Sequence, residues 1–241
     1  MKIIRTANYE EMSTKAAQFM LDRIQTNPEL KLGLATGGTP KGVYKKLIED
    51  HNQNNTTYKN ILTFNLDEYI GIDSSNPNSY HFFMKEQLFD HIDIPSSQTY
   101  LPNGTTKDLL EECSRYEDLL NKVGGIDLQL LGIGENGHIG FNEPGTPFDS
   151  TTHLIELEEN TRQANARFFD SIDEVPTHAI TMGIASIMAS KEILLLASGE
   201  AKAEAISKLI NGEIDESFPA SALKRHENVT IIADEEALKL L

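Results

Sequence analysis

Apolar residues along this chain alternate between two spacings. Lys2-Ile3-Ile4-Arg5 is a short β-like opening, after which Ala16, Ala17, Met20, Leu21 and Ile24 recur at helical intervals behind an Asn8 cap. Asn27-Pro28 ends that helix. Leu30 to Ala35 is a continuous apolar run expected to be a buried strand, and Val43, Tyr44, Leu47 and Ile48 then restore helical spacing. The same alternation continues through a strand at Ile61 to Leu66, helices at Tyr80 to Phe89 and about Lys107 to Val123, and a strand at Ile126 to Leu131. Helical spacing returns from Glu158 through Phe169. The last third predicts a short strand at Thr177 to Gly183, a helix over Ile184 to Ala189, and a strand at Glu192 to Ala197 with three consecutive leucines. It closes with a helix from Ala201 to Ile210, a strand at Asn228 to Ala233 and a short C-terminal helix. Regular exchange of strand for helix predicts a largely parallel sheet flanked by helices and joined by right-handed crossovers. No repeat, low-complexity tract or linker interrupts it, so residues 1–241 are expected to form one domain.

The connections carry the candidate chemistry. Thr36-Gly37-Gly38-Thr39-Pro40 joins a strand to a helix, and such a loop leaves backbone N–H groups at a helix N-terminus, where an anion is favoured. It matches neither GxGxxG nor GxxxxGK[ST], so neither a dinucleotide nor a nucleoside triphosphate is indicated. Asp67 and Glu68 follow the third strand, where ligand crevices of parallel sheets lie, although most such acids are solvated turns. Adjacent side chains leaving a strand diverge, so at most one faces a ligand. The densest stretch is Gly132 to Gly145, GIGENGHIGFNEPG, with five glycines, His138, the amides of Asn136 and Asn142, and Glu143. An imidazole near a carboxylate is suited to moving protons at neutral pH. The polar, irregular stretch from Thr146 to Thr152 and the helical one after it are expected to cover this loop.

Composition narrows the chemistry further. The net charge of −16 argues against nucleic acid, and an anionic small molecule would need a local concentration of N–H groups and cations. No apolar run has membrane-span length, and the N-terminus lacks a signal-peptide pattern, so a soluble cytoplasmic protein is expected. Cys113 is the one cysteine; it lies in a helical stretch and is expected to be inert. There is no HxH, HExxH or acidic oxygen cage and no GxSxG elbow, so neither a catalytic metal nor serine hydrolysis is expected. What remains is acid/base work on a small anionic substrate.

TGGTP, FNLDEYIG, GIGENGHIGFNEPG, ENTRQANARFFD and SGEAKAEAI, in this order and spacing, resemble the glucosamine-6-phosphate deaminase family over essentially the whole chain. The resemblance implies a three-layer α/β/α, modified Rossmann-like fold, no redox or metal cofactor, and conversion of D-glucosamine 6-phosphate and water to D-fructose 6-phosphate and ammonium. It implies that Asp67 moves the C2 proton to C1 and that His138 assists ring opening with Glu143 and Asn136. It further implies that Arg167 and Lys202 join Gly37, Gly38 and Thr39 around the phosphate. Many members carry Asp where this chain has Asn136, which makes Asn136 a hydrogen-bond orienter and shifts weight to Glu143. Allosterically activated members have basic residues where this chain reads Thr151-Thr152-His153-Leu154-Ile155-Glu156, so a non-allosteric enzyme able to work as a monomer is expected, with a homo-oligomer left open. The 6-phosphogluconolactonases share the TGG loop and GxGxxGH but diverge where this chain continues Phe141-Asn142-Glu143-Pro144. A sugar-phosphate-sensing regulator would add a DNA-binding segment, for which no basic helix is available.

Overall fold

The computed structural model describes every residue except Arg167, Phe168 and Asp170, and every other side chain except those of Asn160, Ala164 and Asn165. The strands are β1 (Lys2–Thr6), β2 (Lys31–Leu34), β3 (Leu62–Asn65), β4 (Asp67–Tyr69), β5 (Thr99–Tyr100), β6 (Leu128–Leu131), β7 (His153–Glu156), β8 (His178–Thr181), β9 (Glu192–Ala197) and β10 (Val229–Asp234). The helices are α1 (Tyr9–Thr26), α2 (Lys41–Asn54), α3 (Tyr80–Gln87), α4 (Leu109–Lys122), α5 (Glu159–Asn165), α6 (Ile184–Met188) and α7 (Ala203–Asn211). Seven strands form one sheet in the order β1-β10-β9-β6-β2-β3-β5, every pair parallel.

The leucine run of β9 shows how this sheet becomes the middle of three layers. Successive side chains of a strand point to opposite faces. Ile193, Leu195 and Ala197 enter a core with Tyr116 and Leu120 of α4, Ile187 of α6 and Ile206 of α7. Leu194 and Leu196 enter a second core with Met12 and Met20 of α1, Val43 and Leu47 of α2, and Met84 of α3. A strand covered on both faces has no polar alternation to show, hence the unbroken apolar run. The α/β three-layer expectation holds.

Chain direction sets the position of the crevice. From β2 the chain moves outward through β3 to β5, then returns to β6 on the other side of β2 and continues outward through β9. The connections after β2 and β6 therefore leave the sheet in opposite directions, and a crevice opens at their carboxyl ends.

Three short strands were not expected. At Leu66 the chain leaves the large sheet, its N–H still bonded to Leu34 and its carbonyl already taken by Met182. It then enters a separate antiparallel sheet of order β4-β8-β7. A single apolar run thus spans two sheets, because hydrophobic spacing records burial and not the identity of the pairing partner. The strand expected at Thr177 to Gly183 exists as β8 but belongs to this smaller sheet. β5 is two residues within a turn-rich loop, too short to set a period. The expected C-terminal helix is replaced by turns after β10, and the helix expected through Phe89 stops at Gln87, with a 3-10 turn over Phe89–His91. No helix among the described residues is long and apolar enough to cross a membrane.

Candidate active site

The crevice holds a cavity of about 720 Å³ bounded by the loops after β2 and β6, by β4, and by α5. Gly37, Gly38, Thr39, Asp67, Asn136, His138 and Lys202 all line it. Glu143 does not face the cavity; it is buried behind Asn136 and Thr161. Arg167 lies outside the described residues.

On one wall the loop from Thr36 to Pro40 passes from β2 to α2. Gly37 has φ 97, a conformation open to glycine and strained for side-chain-bearing residues. Pro40 caps α2 without a side-chain hydrogen bond, and no acceptor among the described residues meets the N–H groups of Gly37, Gly38 or Thr39. Unpaired N–H groups at the positive end of a helix dipole form a cradle for an anion. Lys202 reaches the same cavity from the 3-10 turn Glu200–Lys202 after β9. That turn is fixed by Asp234, which accepts from the Ser198 hydroxyl and from the N–H groups of Gly199 and Ala237. Asp234 was not anticipated, since only the pairing of β9 with β10 brings it there.

Asp67 and Glu68 are both buried rather than exposed, and they diverge as alternate strand residues must. Glu68 turns from the cavity to the N-terminus of α3, accepting from the N–H groups of Tyr69, Tyr80 and His81 and from His81 Nδ1 at 2.8 Å. It is a helix cap supplied by another element. Asp67 faces the cavity. Burial, reinforced by the nearby charge of Glu68, raises its pKa to about 8. Tyr80, which the sequence did not single out, lines the cavity beside it, with its hydroxyl donating to the Tyr69 hydroxyl at 3.3 Å and its ring stacked on Phe141 at 6.0 Å.

The imidazole is held by a relay. His138 Nδ1 lies 2.7 Å from Asn136 Oδ1, and the Asn136 amide donates to Glu143 Oε2 at 2.9 Å. Because a carboxylate only accepts, the Asn136 NH₂ faces Glu143 and its Oδ1 faces the ring, so Nδ1 carries the proton and Nε2 keeps its lone pair. The other Glu143 oxygen accepts from the Thr161 hydroxyl of α5. Direct approach of His138 Nδ1 to Glu143 Oε2 is 3.7 Å, so the amide stands between the two. Burial, with Lys202 across the cavity, lowers the His138 pKa to about 4 against the opposing charges of Glu158 and Glu135. The ring lies flat against Gly134, where a Cβ would come within 2.3 Å of it. Among the described residues no group of three His, Cys, Asp or Glu side chains converges as a metal site would require. Cys113 is buried in α4, its thiol pushed up to about 11 by burial, in keeping with an inert role.

A backbone anion cradle, a buried carboxylate and a tautomer-locked imidazole around one crevice define an acid/base enzyme acting on a small phosphorylated or otherwise anionic substrate. The family profile described as glucosamine-6-phosphate isomerases/6-phosphogluconolactonase matches residues 5–232, and the chain belongs to that family. It is 62% identical over 239 residues to a glucosamine-6-phosphate deaminase of Halalkalibacterium halodurans, covering 99% of this chain and 97% of the relative. It is 55% identical to glucosamine-6-phosphate deaminase 1 of Bacillus subtilis, covering 100% and 99%. The structure of a monomeric glucosamine-6-phosphate deaminase superposes with a TM-score of 0.99 at 55% identity, covering all of both chains. A 6-phosphogluconolactonase of Trypanosoma brucei shares the fold, with a TM-score of 0.83 at 20% identity over 100% of this chain and 98% of its own.

Two expectations follow. Because the folded Asp67 pKa lies above the unfolded value, the folded state binds the extra proton between about pH 4 and 8 and loses stability as pH rises through that window. Asp67→Asn, which does not titrate, is therefore expected to melt above the unsubstituted protein at pH 8 to 9, with the gap closing toward pH 4 in thermal scans. Asn136→Ala unpins the imidazole; the Nδ1-protonated form should give way to a tautomer mixture by ¹⁵N NMR, and turnover should fall about 10²-fold.

Proposed function

We propose that this chain is a deaminating aldose–ketose isomerase that converts D-glucosamine 6-phosphate and water to D-fructose 6-phosphate and ammonium. The observation that carries the reading is the placement of Asp67 and His138 on one cavity with the Gly37–Thr39 cradle, in a chain 62% identical to a deaminase. The phosphate rests on the N–H groups of Gly37, Gly38 and Thr39 with Lys202 beside it, a local reversal of the acidic global field. Arg167 keeps the phosphate-binding role that the family resemblance gives it.

Ring opening moves a proton between two oxygens, work for a group that presents a lone pair to one and hands the proton on to the other. His138 Nε2 takes the proton of the anomeric hydroxyl and returns it to the ring oxygen as the C1–O5 bond breaks. Asn136 and Glu143 act through the ring, by fixing its tautomer. Asp67 then removes the C2 proton and delivers it to C1, while the ammonium group gives up one proton and the C1 oxygen gains one. The product is an iminium at C2, which water hydrolyses to the ketone and ammonium. Before binding, burial holds the Asp67 proton; the substrate's ammonium supplies the opposite charge that releases it.

The chain works as a monomer without a second sugar-phosphate site. A monomeric relative of the same fold supports this, as does the surface beside β7. The groove there is lined by Glu156, Glu158 and Glu159 with Arg162, whose guanidinium is already bonded to Glu159 and to the carbonyls of Ile172 and Val175. A cytoplasmic location accords with the metabolic substrate.

Incubation with glucosamine 6-phosphate should release ammonium and fructose 6-phosphate in equal amounts, and 6-phosphogluconolactone should not be hydrolysed. Asp67→Asn should retain substrate binding and lose most turnover; ordinary turnover in that variant would remove Asp67 as the base. Sedimentation should give a single-chain species with hyperbolic kinetics. Sigmoidal curves straightened by N-acetylglucosamine 6-phosphate would contradict the monomeric, non-allosteric reading.

A further inference from the structure

The outer side of the anion cradle carries a contact that the reaction scheme does not use. Tyr9 opens α1, and its hydroxyl crosses to the loop and to the first turn of α2. It accepts the Gly42 N–H at 2.8 Å, and its single proton is shared between the carbonyls of Gly38 at 3.0 Å and Thr39 at 3.1 Å. In a trans peptide C=O and N–H point in opposite directions. Drawing the Gly38 carbonyl outward to Tyr9 therefore aims the Thr39 N–H inward, toward the cavity that Gly38 and Thr39 line. The Gly42 N–H is consumed by the same hydroxyl, which ties the loop to the helix whose dipole reinforces the cradle.

We propose that Tyr9 is a positioning residue for the substrate phosphate: its hydroxyl sets the orientation of the Gly38–Thr39 peptide and thereby the affinity of the loop for the anion. The inference rests on the proposed function for the identity of the substrate. Tyr44 braces the start of the loop by donating to the Ala35 carbonyl at 2.5 Å, but it is fully buried and holds core packing as well. Tyr9 is 37% exposed, at the edge of an outer groove lined also by Lys41, Lys45 and His91. Removing its hydroxyl loosens the peptide without excavating the core.

One hydrogen-bond hub of this kind predicts an effect of about threefold to tenfold on anion affinity. In Tyr9→Phe, KM for glucosamine 6-phosphate should rise by that factor with kcat within about twofold, and Kd for inorganic phosphate by calorimetry should rise in parallel. Melting temperature should change little. A role confined to stability would lower the melting temperature and leave phosphate Kd in place, which overturns the proposal. So would a wild-type chain that binds no phosphate, or a loss carried by kcat alone. Lys45→Met, in the same groove but without a bond to the loop, should leave phosphate Kd unchanged; an equal rise there would assign the effect to groove charge and overturn the proposal. Phosphate binding is read without turnover. A chain that releases no ammonium but shows the Tyr9→Phe loss keeps this inference and loses the reaction; deamination with an unchanged phosphate Kd does the reverse.

Discussion

A carboxylate accepts hydrogen bonds and donates none, and that one-sidedness at Glu143 orients the site. Its two oxygens are taken by Asn136 and Thr161, one from the loop after β6 and one from α5. The first bond determines which end of the Asn136 amide faces His138, and so which imidazole nitrogen holds a proton. The second joins the covering helix to the loop it covers. An aspartate at position 136 would meet Glu143 as a second carboxylate, and the pair would then have to share a proton or take up a cation. The amide removes that conflict, and the half-buried ring stays neutral.

The electrostatics are divided between scales. The chain carries a net charge of −16, yet its cavity is built to receive an anion, chiefly through main-chain dipoles at the start of α2. Those dipoles act over one turn of helix, whereas the surplus surface charge is screened over about 10 Å of salt solution. Inside the cavity the same short range holds. Glu68 sits beside Asp67 in sequence and raises its proton affinity, but its own charge is spent on capping α3. Two adjacent acids thus do different work because a strand sends them to opposite sides.

How much of this was legible in the sequence depended on whether a signal was local. The strand-to-loop-to-helix passage at Thr36–Pro40 and the crowded loop around His138 announce themselves in a few consecutive residues, as do the doubly covered strands such as β9. The antiparallel sheet did not, since β4 continues the apolar run of β3 and changes only its partners. Glu143 was readable as a partner of the histidine, but its seat behind Asn136 was not, because its other donor, Thr161, arrives from α5. Tyr80, Asp234 and Tyr9 take their roles from contacts across 12 to 35 residues, where spacing carries no information. The five family blocks supplied roles for residues that chemistry alone left as solvated helix faces, Lys202 among them.

Holding an anion by main chain has a consequence for how such a site changes over generations. The N–H groups of Gly37, Gly38 and Thr39 are present whatever side chains the loop carries, so most substitutions within it cannot retune the grip gradually; they either keep the path of the chain or break it. Graded variation must come from residues that lean on the loop from outside. The carbonyls on its outer rim, turned toward α1, are therefore where natural drift can adjust binding strength while the reacting groups stay as they are.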